Sequence, residues 1–201
     1  MRHGFKTEAE KIAAASREML GLPAHAPLPA RKLAKRMGVT VVGPKDIPDI
    51  PERLVTQMLF DFANNWSGIT IPIDGGNLVI LNTTHIPARQ ESDLMHELAH
   101  IIRKHKPARI DPPGKLPWAS RSFDAEQEAE AAWLGGCLQI PRSGLLLSIE
   151  QSLDNKQIAE RFGASPEMVR FRRNMSGVDQ QLARRTRYRA STVLDRQRSC
   201  T

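Results

Sequence analysis

Cysteine is nearly missing from this chain of 201 residues. The two that occur, Cys137 and Cys200, lie far apart and form no C-x-x-C pair. That excludes a disulfide framework and points to a reducing compartment, by default the cytoplasm. Long apolar runs are missing as well. None approaches the ~20 residues of a membrane span, and Met1-Arg2-His3-Gly4-Phe5-Lys6 leads into a charged amphipathic segment instead of an apolar signal core. A membrane is therefore not an expected partner. Most of the chain also lacks net charge. The first 169 residues hold 20 basic and 20 acidic side chains, and the whole +7 excess lies in residues 170–201, with nine Arg against two Asp. Such an arm can attract nucleic acid or an acidic protein partner, or simply keep the chain in solution. The length allows one domain, or one with a small appendage, and suffices for a real core.

What is present centres on Asp93-Leu94-Met95-His96-Glu97-Leu98-Ala99-His100-Ile101-Ile102. Its middle is H-E-x-x-H. On a helix His96 and His100 fall about 40° apart on one face, so both imidazoles can reach one tetrahedral metal ion, zinc by ligand type. Glu97 points about 100° away from His96, where it can hold a metal-bound water without being a ligand. Leu94, Met95, Leu98, Ala99, Ile101 and Ile102 give the helix a buried side, with its polar edge toward a cleft.

The rest of the chain reads as short elements around that helix. Thr7-Glu8-Ala9-Glu10 has the form of a capping box before a helix to about Leu20. A second helix over Ala30 to Met37 ends at Gly38, and Val39-Thr40-Val41-Val42 reads as a strand. A third helix spans Glu52 to Phe62. Gly68 to Ile73 and Leu78 to Asn82 form a hairpin around Asp74-Gly75-Gly76-Asn77, with Pro72 predicting an edge position or a bulge. Residues 104–123 read as an exposed, proline-rich loop able to line a cleft. The next helix, Phe123 to about Gln139, is rich in Ala and Gly and can pack closely on the H-E-x-x-H helix.

Two histidines need a third protein ligand. A third His six residues after the second fails, because that position is Lys106. His105 lies about 140° round a regular helix from His100 and is read as a polar helix-end residue. A carboxylate from the later helix remains. Glu130 falls inside the apolar arc of Trp133, Leu134 and Cys137, and a carboxylate aimed inward is costly unless it is paired or binds metal. Glu130 is therefore the expected ligand, with Glu126 in reserve one turn earlier. Glu128, on the polar side, is expected to be a solvated charge.

At this point the sequence resembles the ImmA/IrrE-type zinc metallopeptidases, from about Lys6 to about Val178. The resemblance is carried by Pro29-Ala30-Arg31-Lys32-Leu33-Ala34 before Gly38-Val39, Leu78-Val79-Ile80-Leu81-Asn82, and Arg89-Gln90. It continues through His96-Glu97-Leu98-Ala99-His100 with its following His105, then Glu130-Ala131 and Leu138-Gln139-Ile140-Pro141. Ala132 stands where the family usually has Asn or Asp, and Gly135 and Gly136 replace the usual Ala pair. The resemblance implies that the substrate is a helix-turn-helix transcriptional repressor, cleaved to relieve repression. No fused sensor domain is expected after Thr201.

Residues 155–175 have the marks of a helix-turn-helix: Ala159 as the small residue, Gly163 in the turn, Ser165 as N-cap and Pro166 at the first helical position. Arg170, Arg172 and Arg173 can face phosphates, although the resemblance implies that this segment packs on the catalytic part. Nucleic acid through the Arg-rich tail is the less favoured partner. The expected fold is α+β: a mostly helical, zincin-like metallopeptidase with a small antiparallel sheet and a helix-turn-helix-like C-terminal segment. Residues 1–145 form the peptidase domain, 146–178 the helical segment and 179–201 a basic, flexible tail. The expected function is a zinc endopeptidase with one zinc per chain, held by His96, His100 and Glu130, with Glu97 as the catalytic base. The rival is a non-catalytic DNA- or repressor-binding regulator with a structural or decayed metal site. Oligomeric state is not legible.

Overall fold

The computed structural model describes residues 2–106 and 124–185. The fold is α+β: helices predominate, around one small sheet. Helix α1 runs Phe5–Glu18, α2 Ala30–Arg36, strand β1 Val39–Val42, and α3 Glu52–Thr56, which continues into a π-helical turn over Gln57–Asp61. Strands β2 (Gly68–Ile73) and β3 (Gly76–Leu81) follow. Then come α4 (Pro87–Arg103), α5 (Ala125–Gln139), α6 (Arg142–Glu150), α7 (Asn155–Phe162) and α8 (Pro166–Ser176).

The sheet order is β1-β3-β2. β2 and β3 form the expected hairpin, with Gly75 at φ +83 in its turn. β2 is an edge strand, which suits Pro72, since proline has no N–H to give to a second neighbour. The sheet is mixed and not purely antiparallel, because β1 runs parallel to β3, pairing Val39 with Asn77 through Val42 with Ile80.

Helix α1 differs from its reading in one useful way. It begins at Phe5 after Gly4 at φ +82, so Thr7 lies inside the helix and caps nothing. Glu10 is thereby free for tertiary work: it accepts from the Arg142 backbone N–H at 3.0 Å and is ion-paired with Arg172.

The main core joins Phe5, Ala9 and Ala13 of α1 with Leu33 of α2, Val79 and Leu81 of β3, and Leu94, Met95, Leu98 and Ala99 of α4. Ala131, Leu134, Cys137 and Leu138 of α5 complete it. A second core, around Ile140, Leu145, Ile158, Phe162 and Val169, knits α6, α7 and α8 together. No helix among the described residues is long and apolar enough to cross a membrane.

Helix α5 is buried almost all round from Glu130 to Gln139, so one apolar arc does not tell which side meets which neighbour. The small residues do. A methyl added at Gly135 would lie 3.2 Å from the backbone N of His96 and 3.3 Å from its Cα, so α4 crosses directly over Gly135. One added at Gly136 would lie 3.0 Å from Arg172 Cδ, so α8 sits over the next position.

Candidate metal centre

Ile86-Pro87 opens α4 with proline at its first position, where no N–H is needed. The helix buries Leu94, Met95, Leu98 and Ala99 and leaves His96 and His100 on its polar edge, their side chains 32% and 19% exposed. The two Nε2 atoms are 3.0 Å apart. Glu128 closes the group, with Oε2 3.1 Å from His96 Nε2 and Oε1 3.6 Å from His100 Nε2.

Glu128, not Glu130, thus meets the two histidines, and the reason is geometric. Glu128 stands seven residues before Gly135, about 20° short of two full turns, so both lie on one line along α5. That line faces α4. Trp133 and Cys137, in the arc of Glu130, face α1 instead. Trp133 lies beneath the Lys6 ammonium at 4.4 Å, and the Cys137 thiol donates to Glu10 at 3.3 Å. Glu130 does avoid an unpaired burial, as expected of an inward carboxylate, but its partners are Arg103 at 3.1 Å and His105 at 3.4 Å. The stripe Glu128–Ala131–Gly135 carried the missed signal, because small residues mark the side on which a helix is approached closely. Glu126 lies in the first turn, outside the His96–His100–Glu128 group.

The group fits a metal ion. Ligand atoms 2.0–2.1 Å from a tetrahedral zinc lie about 3.3 Å from one another; here the two Nε2 atoms are 3.0 Å apart, Glu128 brings one oxygen 3.1 Å from His96 and the other 3.6 Å from His100, and one atom of each residue lies within 4.8 Å of the others. Two imidazole nitrogens and a carboxylate are also donor types that zinc accepts. Among the described residues this is the one set of three such groups close enough to share an ion. Without an ion the carboxylate takes a proton partner. Burial works against a charge on His96, but the hydrogen bond to Glu128 and the charges of Glu97, Glu128 and Asp93 outweigh it and raise its pKa. Hydrogen bonds from His100 and His96 hold the Glu128 carboxyl well below the usual range.

Glu97 is buried beside this group, and β2 fixes it. Thr70 Oγ1 donates to Glu97 Oε2 at 2.5 Å. A methyl at Gly68 would lie 2.7 Å from Glu97 Cγ, so glycine alone lets the strand pass. Neither residue stood out in the sequence, since an isolated Gly and Thr in a strand look ordinary. His85 is buried with Nδ1 2.6 Å from Asp93 Oδ2, while Arg89 stays half exposed 3.9 Å from the same carboxylate.

The helix-turn-helix pattern forms as read. Gly163 takes φ +59, Ser165 accepts from the Met168 N–H at 3.1 Å, and Pro166 opens α8. The arginines of its second helix are paired within the protein. Arg172 is fully buried, donating to the Ile140 carbonyl at 2.9 Å and paired with Glu10. Arg173 pairs with Asp179 and Arg170 with Glu167, each at 2.7 Å. The loop after Lys106 and most of the basic tail fall outside the described residues.

The chain is similar in structure to a Mycobacterium tuberculosis transcriptional regulator, at 15% identity and a TM-score of 0.48, over 84% of this chain and 46% of that one. It thus spans about half the length of that regulator. No curated protein matches it. A family model described as the IrrE N-terminal-like domain, a peptidase family, matches residues 50–174, from α3 through the metal centre to α8. With more than half its length matched, the chain belongs to the IrrE N-terminal-like domain family of peptidases.

Proposed function

We propose that this protein is a zinc-dependent endopeptidase with one metal per chain, held by His96, His100 and Glu128, and with Glu97 as its general base. The observation that carries the reading is the convergence of His96 Nε2, His100 Nε2 and the Glu128 carboxylate next to a buried Glu97. A zinc ion bound there supplies a Lewis acid that makes water nucleophilic near neutral pH and polarises a carbonyl. Glu97 takes the proton from the attacking water and hands it to the leaving amine. Thr70 holds one Glu97 oxygen, so the carboxylate is positioned before substrate arrives. The edge strand β2 begins at Gly68, beside Glu97, and an extended peptide adding to it through backbone hydrogen bonds would pass that carboxylate.

The family resemblance suggests a helix-turn-helix repressor as the substrate, and the near-absence of cysteine, with Cys137 free and buried, suits the cytoplasm. Residues 146–178 serve as a packing element, since Arg172 is spent on Glu10 and Ile140. The test is Glu97→Gln. The variant should keep its zinc and lose cleavage of a repressor substrate by about 10²–10⁴-fold. Unchanged cleavage would remove Glu97 from the chemistry, and no cleavage by the native zinc-loaded chain would favour a binding regulator.

A further inference from the structure

Behind His100, on the side away from Glu128, lies a second line of polar groups. Helix α4 ends at Arg103, and Lys104 turns into the left-handed region at φ 53. The His105 N–H then donates back to the His100 carbonyl at 3.0 Å. This reversal carries His105 under the helix end, to a position that a continued helix would not reach. Its Nδ1 lies 3.0 Å from His100 Nδ1, and its Nε2 lies 3.4 Å from Glu130 Oε2. The same oxygen accepts from Arg103 Nε and Nη2, both at 3.1 Å. Arg103 Nη1 in turn donates to Glu8 Oε1 at 3.0 Å, which ties the line to α1.

We propose that His105 and Glu130 are positioning residues that hold the His100 imidazole with Nε2 turned to the metal. The inference rests on the metal reading given above. A neutral His100 that offers the Nε2 lone pair carries its proton on Nδ1. That proton points at His105 Nδ1, which must present a lone pair to receive it. His105 then carries its own proton on Nε2 and donates it to Glu130. With both imidazoles neutral, donation from His105 Nε2 to Glu130 leaves His105 Nδ1 as an acceptor, and that arrangement puts the His100 proton on Nδ1 and its lone pair on Nε2. Histidine ligands depend on such a partner at the other ring nitrogen to fix tautomer and orientation. Lys104 sits in the left-handed region that L side chains seldom adopt, and the reversal it makes returns His105 to this place.

The test uses the full chain and zinc alone, by competition with a chromogenic chelator. His105→Phe keeps a ring and removes the acceptor. It should weaken zinc about 10–100-fold with one zinc still bound at saturation, and His105→Gln, which restores an acceptor oxygen, should recover most of that loss. Native affinity in His105→Phe together with weakened affinity in Glu128→Gln would overturn the positioning role and leave the metal reading standing. Native affinity in Glu128→Gln would instead sink the metal reading. Should His105→Phe fail to fold, two-bond nitrogen–proton correlations of the imidazoles in the zinc-loaded native chain decide. Protons on His105 Nε2 and His100 Nδ1 are expected, and a proton on His105 Nδ1 overturns the proposal.

Discussion

Two parts of this molecule present polar side chains from a pair of packed helices, and they do opposite things with them. In the helix-turn-helix pattern each arginine of α8 has an acidic partner: Arg170 with Glu167, Arg172 with Glu10, Arg173 with Asp179. Between α4 and α5 three electron-pair donors, His96, His100 and Glu128, are pressed against each other with no Lys or Arg among them. The first set is closed on itself and holds the structure together. The second brings one ligand atom from each of three residues within 4.8 Å of one another, close enough to share a cation. A motif alone does not separate the two cases; the partners do.

The sharpest way to break this contrast is to remove a donor from the open set. His96→Ala, His100→Ala and Glu128→Gln should each lower zinc affinity by more than the roughly 10–100-fold typical of a residue that only supports a ligand. Glu130→Gln should stay within that range. The expectation drawn from helical faces alone was the reverse, so equal zinc affinity in Glu128→Gln and the native chain would restore it.

The closed set is tested by stability. Arg172→Met strips a buried Glu10 contact and should cost about 3–5 kcal/mol, nearer the low end because Glu10 keeps 25% of its side chain exposed. Arg173→Ala, in a pair that water reaches, should cost at most about 1 kcal/mol. Denaturant melts of the two variants give the comparison, and similar losses would mean that α8 is not anchored through Arg172.

The two neighbouring glycines of α5 refine the contrast at lower cost. Gly135→Ala pushes a methyl into the α4 backbone at 3.2 Å and should destabilise by about 1–3 kcal/mol while weakening zinc. Gly136→Ala meets a side chain, Arg172, and offsets its crowding with the roughly 1 kcal/mol that Ala gains over Gly in a helix. It should cost less and leave zinc unchanged. Calorimetry with and without zinc separates them.

The smallest effect is a pH dependence of the metal-free chain. The His96 pKa is raised, so the stability from its pairing is complete below the unfolded value near 6.5 and fades as pH rises through the folded one. The Glu128 pKa is depressed, so its share is present above the unfolded carboxylate value and is lost only in strong acid. The melting temperature without zinc should therefore fall on going from pH 6 to pH 8, and Glu128→Gln should flatten that fall. Zinc affinity should move the other way, since the metal needs the neutral imidazole.

Much of this was legible in the sequence because it is local. The spacing of His96 and His100, the Asp74–Gly75 turn, and the Gly163–Ser165–Pro166 junction depend only on residues a few positions apart. What was hidden depends on which helix crosses which. The choice between Glu128 and Glu130 turned on whether α4 or α1 covers the apolar arc of α5, and both sides of that helix are buried. The contact of His105 with His100 was hidden because the chain reverses at Lys104, a residue type that seldom adopts a positive φ. The parallel pairing of β1 with β3 joins residues about 38 positions apart, beyond the reach of turn signals.

A crystal structure of the zinc-loaded chain, phased at the zinc edge, tests the central claim most directly. The account predicts one anomalous peak per chain, with a Glu128 oxygen about 2.0–2.2 Å from the ion, His96 and His100 beside it, and Glu130 still on Arg103 and His105. A peak bound by Glu130, or no peak at His96 and His100, would contradict it.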